Sequence, residues 1–117
     1  MNLLIVEDSE QMRRTIKAFV RDLASEIHEC ADGAQALAAY CAYRPAWVLM
    51  DVQMKELDGI SATRQIVAAD PAARVLIVSN YDDPDLRAAA SAAGACGYIV
   101  KENLFDLRRV LSEAPIH

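Results

Sequence analysis

Ala46-Trp47-Val48-Leu49-Met50-Asp51 is a run of five apolar residues that ends on a carboxylate. A short apolar run is typical of a strand covered on both faces, as in a parallel sheet, because a half-exposed strand would alternate with polar residues. Pro45 marks the start of the run. We therefore predict a buried strand that carries the side chain of Asp51 at its carboxyl end.

Three other apolar runs also end on polar residues: residues 3–6 before Glu7 and Asp8, residues 75–78 before Ser79, and residues 98–100 before Lys101. In an open parallel α/β sheet the carboxyl ends of the strands share one edge, and such folds bind ligands at that edge. We therefore expect these polar side chains to converge with Asp51 on a single site.

Helical patterns separate the apolar runs. Ser9 can cap a first helix, whose apolar residues recur every three or four positions from Met12 to Leu23. Further helices are predicted over residues 34–43, from about 60 to 69, from 84 to 93, and from 104 until Pro115 ends the last one, while residues 26–30 alternate as a partly exposed edge strand. Five alternations of strand and helix in 117 residues predict one α/β domain, with a parallel sheet, right-handed crossovers and helices on both faces.

Charge and hydropathy limit the partners. The formal net charge of −5 argues against direct nucleic acid binding, because phosphate backbones are held by clustered Lys and Arg. The bases of the first helix, among them Arg13 and Arg14, are interpreted as a solvated face in preference to a docking patch. No apolar segment approaches the roughly 20 residues of a membrane span, and no basic lead-in precedes the first strand. We therefore expect a cytoplasmic protein.

The three cysteines, Cys30, Cys41 and Cys96, lack the paired spacing of zinc or redox motifs. We therefore expect reduced and mostly buried thiols. In the second helix either Tyr40 or Cys41 is expected to face inward.

Three carboxylates at one edge of a sheet, those of Glu7, Asp8 and Asp51, would repel one another and must share a proton or hold a cation. Mg²⁺ suits such a site because it prefers oxygen ligands and is usually held by one or two carboxylates together with phosphate oxygens. With Lys101 nearby, a divalent ion would bring the formal charge of the site to zero. The acids therefore predict a Mg²⁺ site.

Such a site favours covalent aspartyl-phosphate chemistry, in which Asp51 attacks a phosphorus centre in line. Mg²⁺ and Lys101 would neutralise the phosphoryl oxygens, and the hydroxyl of Ser79 could donate a hydrogen bond to one of them. Two alternatives are weaker. The acids after the first strand would repel the phosphate of a flavin cofactor, and an aspartyl phosphatase would want a general acid where Gln53 stands.

These residues, in this order, resemble the receiver domain of bacterial two-component response regulators over essentially the whole chain. The matching features are Glu7-Asp8, Asp51, Asp58-Gly59, Ser79, Gly94-Ala95-Cys96-Gly97-Tyr98 and Lys101. The resemblance implies a flavodoxin-like (βα)5 fold with strand order 2-1-3-4-5. It also implies that a histidine kinase or phosphotransfer protein supplies a phosphoryl group, and that the chain catalyses its own aspartyl phosphorylation and dephosphorylation without being a conventional enzyme.

The resemblance also assigns roles to single residues. It implies that Asp51 is the phospho-acceptor, and that Ser79 and Tyr98 form a conformational switch pair. The Mg²⁺ ligands that it implies are Glu7, Asp8, Asp51 and the backbone carbonyl of Gln53. Phosphorylation is then expected to change the face formed by the fourth helix, fifth strand and fifth helix, and with it partner binding or self-association.

Two questions stay open from the sequence. Tyr81 is expected either to lie on the rim over Asp51, opposite Gln53, where it would shield the phosphorylated site from water, or to point outward as a partner contact. Three positions also depart from the residues common in the family: Lys55, Asn80 and Glu102. They are the only support for an alternative function, a receiver-like protein-interaction module that works without phosphorylation.

Overall fold

Strands and helices alternate throughout the structure, a computed structural model that describes residues 1–54 and 57–112. The strands are β1 (Asn2–Val6), β2 (Glu26–Cys30), β3 (Trp47–Met50), β4 (Val75–Ser79) and β5 (Gly97–Val100). The helices are α1 (Glu10–Val20), α2 (Ala36–Tyr43), α3 (Gly59–Ala69), α4 (Pro84–Ala93) and α5 (Phe105–Ser112). The strands pair in parallel in the order β2-β1-β3-β4-β5. This confirms the predicted flavodoxin-like fold and the edge position of β2.

Both faces of the sheet are covered. Successive residues of β1 alternate between two apolar clusters, so that Leu3 and Ile5 pack with α1 and α5, whereas Leu4 and Val6 pack with α2, α3 and α4. All four of these side chains are fully buried. Burial on both faces explains why β1, β3 and β4 are near-continuous apolar runs in the sequence.

The predicted Ser9 cap is present, and the ends of α4 are also capped. The Oγ of Ser9 accepts a hydrogen bond from the N–H of Met12, at 3.2 Å, and begins α1. Asp83 caps α4, which has Pro84 in its first turn and ends at Gly94 with a left-handed φ of 103°. In the described part of the chain, no helix is both long and apolar enough to cross a bilayer.

The structure corrects two predictions about α2 and the cysteines. The carboxylate of Asp32 accepts a hydrogen bond from the N–H of Gln35, at 2.9 Å, and caps a 3₁₀ turn, so α2 begins two residues later than predicted. Tyr40 fills the inward position, which leaves its neighbour Cys41 exposed. Cys96, just before β5, is also exposed, so the prediction of mostly buried thiols was wrong. The predicted helix stop at Pro115 lies outside the described residues.

Gly59 lets the start of α3 approach the end of β3. A Cβ at this position would lie 1.8 Å from the backbone carbonyl oxygen of Asp51. The N–H of Gly59 also donates to the carbonyl oxygen of Val52, at 2.8 Å. The absence of a side chain at Gly59 therefore allows the start of α3 to pack directly against the backbone of Asp51.

Gly59→Ala should lower the free energy of unfolding by roughly 2 kcal/mol or more, because the new methyl group overlaps backbone that cannot move independently of the sheet. Gly97→Ala is the milder comparison, since its Cβ would meet only the Cδ1 of Leu76, at 2.9 Å, and no backbone atom, so it should lower stability less than Gly59→Ala does. Urea unfolding of both variants and the parent measures the difference. An unchanged stability of Gly59→Ala would contradict the close approach.

Candidate metal and phosphoryl site

The carboxyl ends of β1, β3, β4 and β5 surround a cleft of about 210 Å³. The backbone N–H of Asp51 donates to the carbonyl oxygen of Val6, at 2.9 Å, which aligns the ends of β3 and β1. The cleft is lined by Glu7, Asp8, Ser9, Met12, Asp51, Gln53, Ser79, Asn80, Tyr81 and Lys101. The fold therefore brings together every predicted site residue except Tyr98.

The acids of the cleft form a compact cluster. One carboxylate oxygen from each of Glu7, Asp8 and Asp51 lies within 4.8 Å of the others. Glu7 and Asp51 are buried, at 1% and 7% exposure, whereas Asp8 is exposed to solvent. A set of three oxygen donors at this spacing, open to solvent on one side, fits a hard divalent cation.

Lys101 is the cation that the protein itself supplies. Its Nζ donates to Oε1 of Glu7, at 2.7 Å, and to Oδ1 of Asp51, at 3.1 Å. Burial acts to lower the pKa of Lys101, but the hydrogen bonds and charges of the two carboxylates outweigh it and raise the pKa above its usual value. Lys101 is therefore charged and links the acids of β1 and β3.

The ionised forms of Asp51 and Glu7 remain disfavoured despite the ammonium group of Lys101. Burial raises the pKa of Asp51, and the charge of Asp8 raises it further, while Lys101 acts in the opposite direction. Burial likewise raises the pKa of Glu7, although hydrogen bonds from Lys101 and from the N–H of Ser9 lower it. One ammonium group thus stabilises the carboxylates only in part.

The polar residue at the end of β4 is buried. Ser79 is 1% exposed, and its Oγ accepts a hydrogen bond from the N–H of Tyr81, at 3.1 Å. The ring of Tyr81 is 48% exposed and lines the cleft. Gln53 lines the same cleft from the loop after β3. This contact uses the Ser79 oxygen as an acceptor only, so it does not engage the hydroxyl proton.

Tyr98 lies outside the cleft. Its ring is half-buried in β5, and its hydroxyl donates to the backbone carbonyl oxygen of Tyr81, at 2.6 Å. Tyr98 is therefore connected to the site through the segment that also contacts Ser79.

The structure adds Arg13 to the surroundings of the site. Its Nη1 donates to the carbonyl oxygen of Glu7, at 2.7 Å, and its Nε pairs with Glu29, at 3.1 Å. The side chain of Arg13 is only 18% exposed, whereas that of Arg14 is 77% exposed. The interpretation of the bases of α1 as a solvated face was therefore wrong for Arg13. Its position one turn after the Ser9 cap was the signal that it could reach back to the acidic loop.

Comparison with known proteins agrees with this geometry. The family model of the response regulator receiver domain matches residues 3–112. The chain is 38% identical over 112 residues to the chemotaxis protein CheY of Listeria monocytogenes, and the match covers 95% of this chain and 92% of that protein. It is 39% identical over 105 residues to protein-glutamate methylesterase/protein-glutamine glutaminase 5 of Geobacter metallireducens, covering 86% of this chain but 29% of that longer protein.

Solved structures show the same similarity. Chemotaxis protein CheY4 of Vibrio cholerae superposes with a TM-score of 0.87 at 25% identity, covering 97% of this chain and 98% of that one. A chain of the CheX–CheY–BeF3–Mg complex of Borrelia burgdorferi superposes with a TM-score of 0.84 at 30% identity, covering 96% of this chain and 87% of that one. The chain belongs to the receiver domain family of CheY-like response regulators, which accept phosphoryl groups in two-component signalling.

Proposed function

We propose that Asp51 accepts a phosphoryl group from a histidine kinase or phosphotransfer protein in a Mg²⁺-dependent reaction. The observation that carries this proposal is the ammonium group of Lys101 held between Glu7 and Asp51 in a cleft with three carboxylates. A buried acid beside a fixed cation, open to solvent along one wall, is suited to acquiring further negative charge. The partner is a protein rather than a nucleic acid, and the proposed place of action is the cytoplasm.

Asp51 is the acid best placed to act as the nucleophile. Asp51 directly follows the central strand β3, and its Oδ1 lies 3.1 Å from the Nζ of Lys101, a cation that can contact the phosphoryl oxygens. Glu7 is held at both carboxylate oxygens, at Oε1 by Lys101 and at Oε2 by the N–H of Ser9, at 3.1 Å. In the reaction an oxygen of Asp51 forms a bond to phosphorus while the bond between phosphorus and the donor atom breaks, and the donor keeps that electron pair. The product is an aspartyl phosphate on Asp51.

The acid cluster would hold the metal ion. Glu7, Asp8 and Asp51 supply carboxylate oxygens, and the backbone carbonyl of Gln53 is a further proposed ligand from the loop beside them. When bound, Mg²⁺ neutralises negative charge on the phosphoryl oxygens. Lys101 is close enough to Asp51 to exchange its present contact for one of those oxygens.

The proposed response to phosphorylation begins at Ser79. Its hydroxyl donates to a phosphoryl oxygen, which draws the end of β4 toward Asp51 and shifts the backbone of Tyr81. Because the hydroxyl of Tyr98 donates a hydrogen bond to the backbone carbonyl oxygen of Tyr81, this shift changes the position of the Tyr98 ring. The two states then present different contacts on the face formed by α4, β5 and α5, where a partner or a second copy of the chain binds.

Asp51→Asn should abolish phosphorylation, because an amide is a poor nucleophile. The chain is incubated with Mg²⁺ and acetyl phosphate, and intact mass reports the gain of one phosphoryl group. Asp106→Asn, which removes an acid on α5 outside the cleft, should retain the gain. A gain retained by Asp51→Asn would reject the assignment, and no gain in the parent chain would favour the phosphorylation-independent module.

We further propose that Tyr81 shields the aspartyl phosphate from water, since its ring lines the same cleft as Asp51. Tyr81→Ala should then hasten the decay of the phosphorylated chain by about three- to tenfold, a change of roughly 0.7–1.4 kcal/mol in the barrier. The same variant should load faster from acetyl phosphate because the cleft is less crowded.

Loss of radiolabelled phosphate in Mg²⁺ measures this decay. Tyr43→Ala is the matched control, because Tyr43 is 44% exposed and does not line the cleft. Equal or slower decay of Tyr81→Ala would show that the ring does not exclude water and would leave it as a partner contact.

A further inference from the structure

The ring of Tyr98 has a second contact besides its hydroxyl. The guanidinium carbon of Arg87, on α4, lies 4.6 Å from the centre of the ring. The ring is therefore held at two places, by a hydrogen bond at its tip and by a cation over its face. The ring is half-buried against the core on this side of the sheet, and groups from the β4–α4 loop and from α4 contact the part that is not buried.

Arg87 is itself oriented by the loop before α4. Its Nε donates to Oδ1 of Asp82, at 2.8 Å, in an ion pair whose side chains are 44% and 65% exposed. An exposed ion pair of this kind contributes little stability by itself. It does, however, restrict where the guanidinium plane lies, and Asp82 directly follows the residue whose carbonyl binds the hydroxyl of Tyr98.

We propose that Arg87 is a positioning residue for Tyr98, with Asp82 orienting its guanidinium over the ring. This rests on the proposed function, because Tyr98 is the element that would move on phosphorylation. Arg87 favours the ring position in which the hydroxyl is bonded to Tyr81, and so biases the equilibrium between the two states of the face before any phosphoryl group arrives. The same side chain lines a groove of about 250 Å³ together with Tyr98, Cys96 and Gly97.

Arginine suits this role better than lysine. Its planar guanidinium can stack on an aromatic face while its Nε remains directed at a carboxylate. A lysine ammonium keeps the charge but cannot make both contacts in a fixed geometry. The conservative variant therefore separates the effect of charge from the effect of shape.

The test measures the side-chain rotamers of Tyr98 by NMR, from three-bond couplings at χ1, in the whole unphosphorylated chain without divalent ions. Arg87→Met keeps the length of the side chain and removes the cation. This variant should lower the population of the Tyr98 rotamer whose hydroxyl is hydrogen-bonded to Tyr81, relative to the other rotamers. The expected decrease in this ratio is about two- to fivefold, the factor expected from an exposed cation–π contact. Asp82→Asn should lower the ratio less, and Arg87→Lys should restore part of it.

Arg64→Met, at an exposed arginine of α3, is the matched control and should leave the ratio unchanged. Unfolding free energies are measured in parallel, since a merely structural role would change stability and leave the rotamer ratio unaffected. An unchanged ratio in Arg87→Met would overturn the inference. Because this measurement needs no phosphorylation, a chain that fails to accept a phosphoryl group would refute the proposed function and leave the rotamer result to stand by itself.

Discussion

Mutual repulsion among Glu7, Asp8 and Asp51 is the constraint that the surrounding structure has to satisfy. Three carboxylates with oxygens within 4.8 Å of one another, two of them buried, would destabilise the fold if no cation or proton compensated their charge. Lys101 offsets part of this cost with bonds of 2.7 and 3.1 Å to two of the acids. The charge that remains is the basis of the proposal that the cleft binds a divalent cation.

The rest of the molecule holds these charges in place. The sheet is buried on both faces, so the ends of its strands have little freedom, and Gly59 packs the start of α3 directly against the backbone of Asp51. On the other side Arg13 holds the carbonyl oxygen of Glu7. Packing energy spread over the whole core thus maintains an arrangement that is locally unfavourable, as is usual where chemistry is carried out.

Sequence patterns predict the fold correctly, and they also predict which side chains the fold brings to one cleft. Apolar runs that end on polar residues and alternate with helical patterns favour a parallel sheet, and the shared edge of that sheet brings Asp51, Lys101 and Ser79 to one cleft. Prediction fails where several solutions fit the pattern. The inward position of α2 could be Tyr40 or Cys41, and only packing decides it. The contacts of Arg13 and Arg87 depend on rotamers of long side chains, which local sequence does not determine.

The central claim is that repulsion among the acids of the cleft lowers the stability of the fold and allows the cleft to bind a cation. The most direct test measures the free energy of unfolding of the parent chain and of Asp8→Asn, each in EDTA and in excess Mg²⁺. In EDTA the variant should be more stable than the parent, by about 1 kcal/mol, because one repelling charge is gone. Added Mg²⁺ should stabilise the parent and have much less effect on the variant, since binding to the folded state alone raises stability. Glu102→Gln, which removes an exposed acid outside the cleft, should behave like the parent. A variant less stable than the parent in EDTA, with equal stabilisation of both by Mg²⁺, would contradict the account.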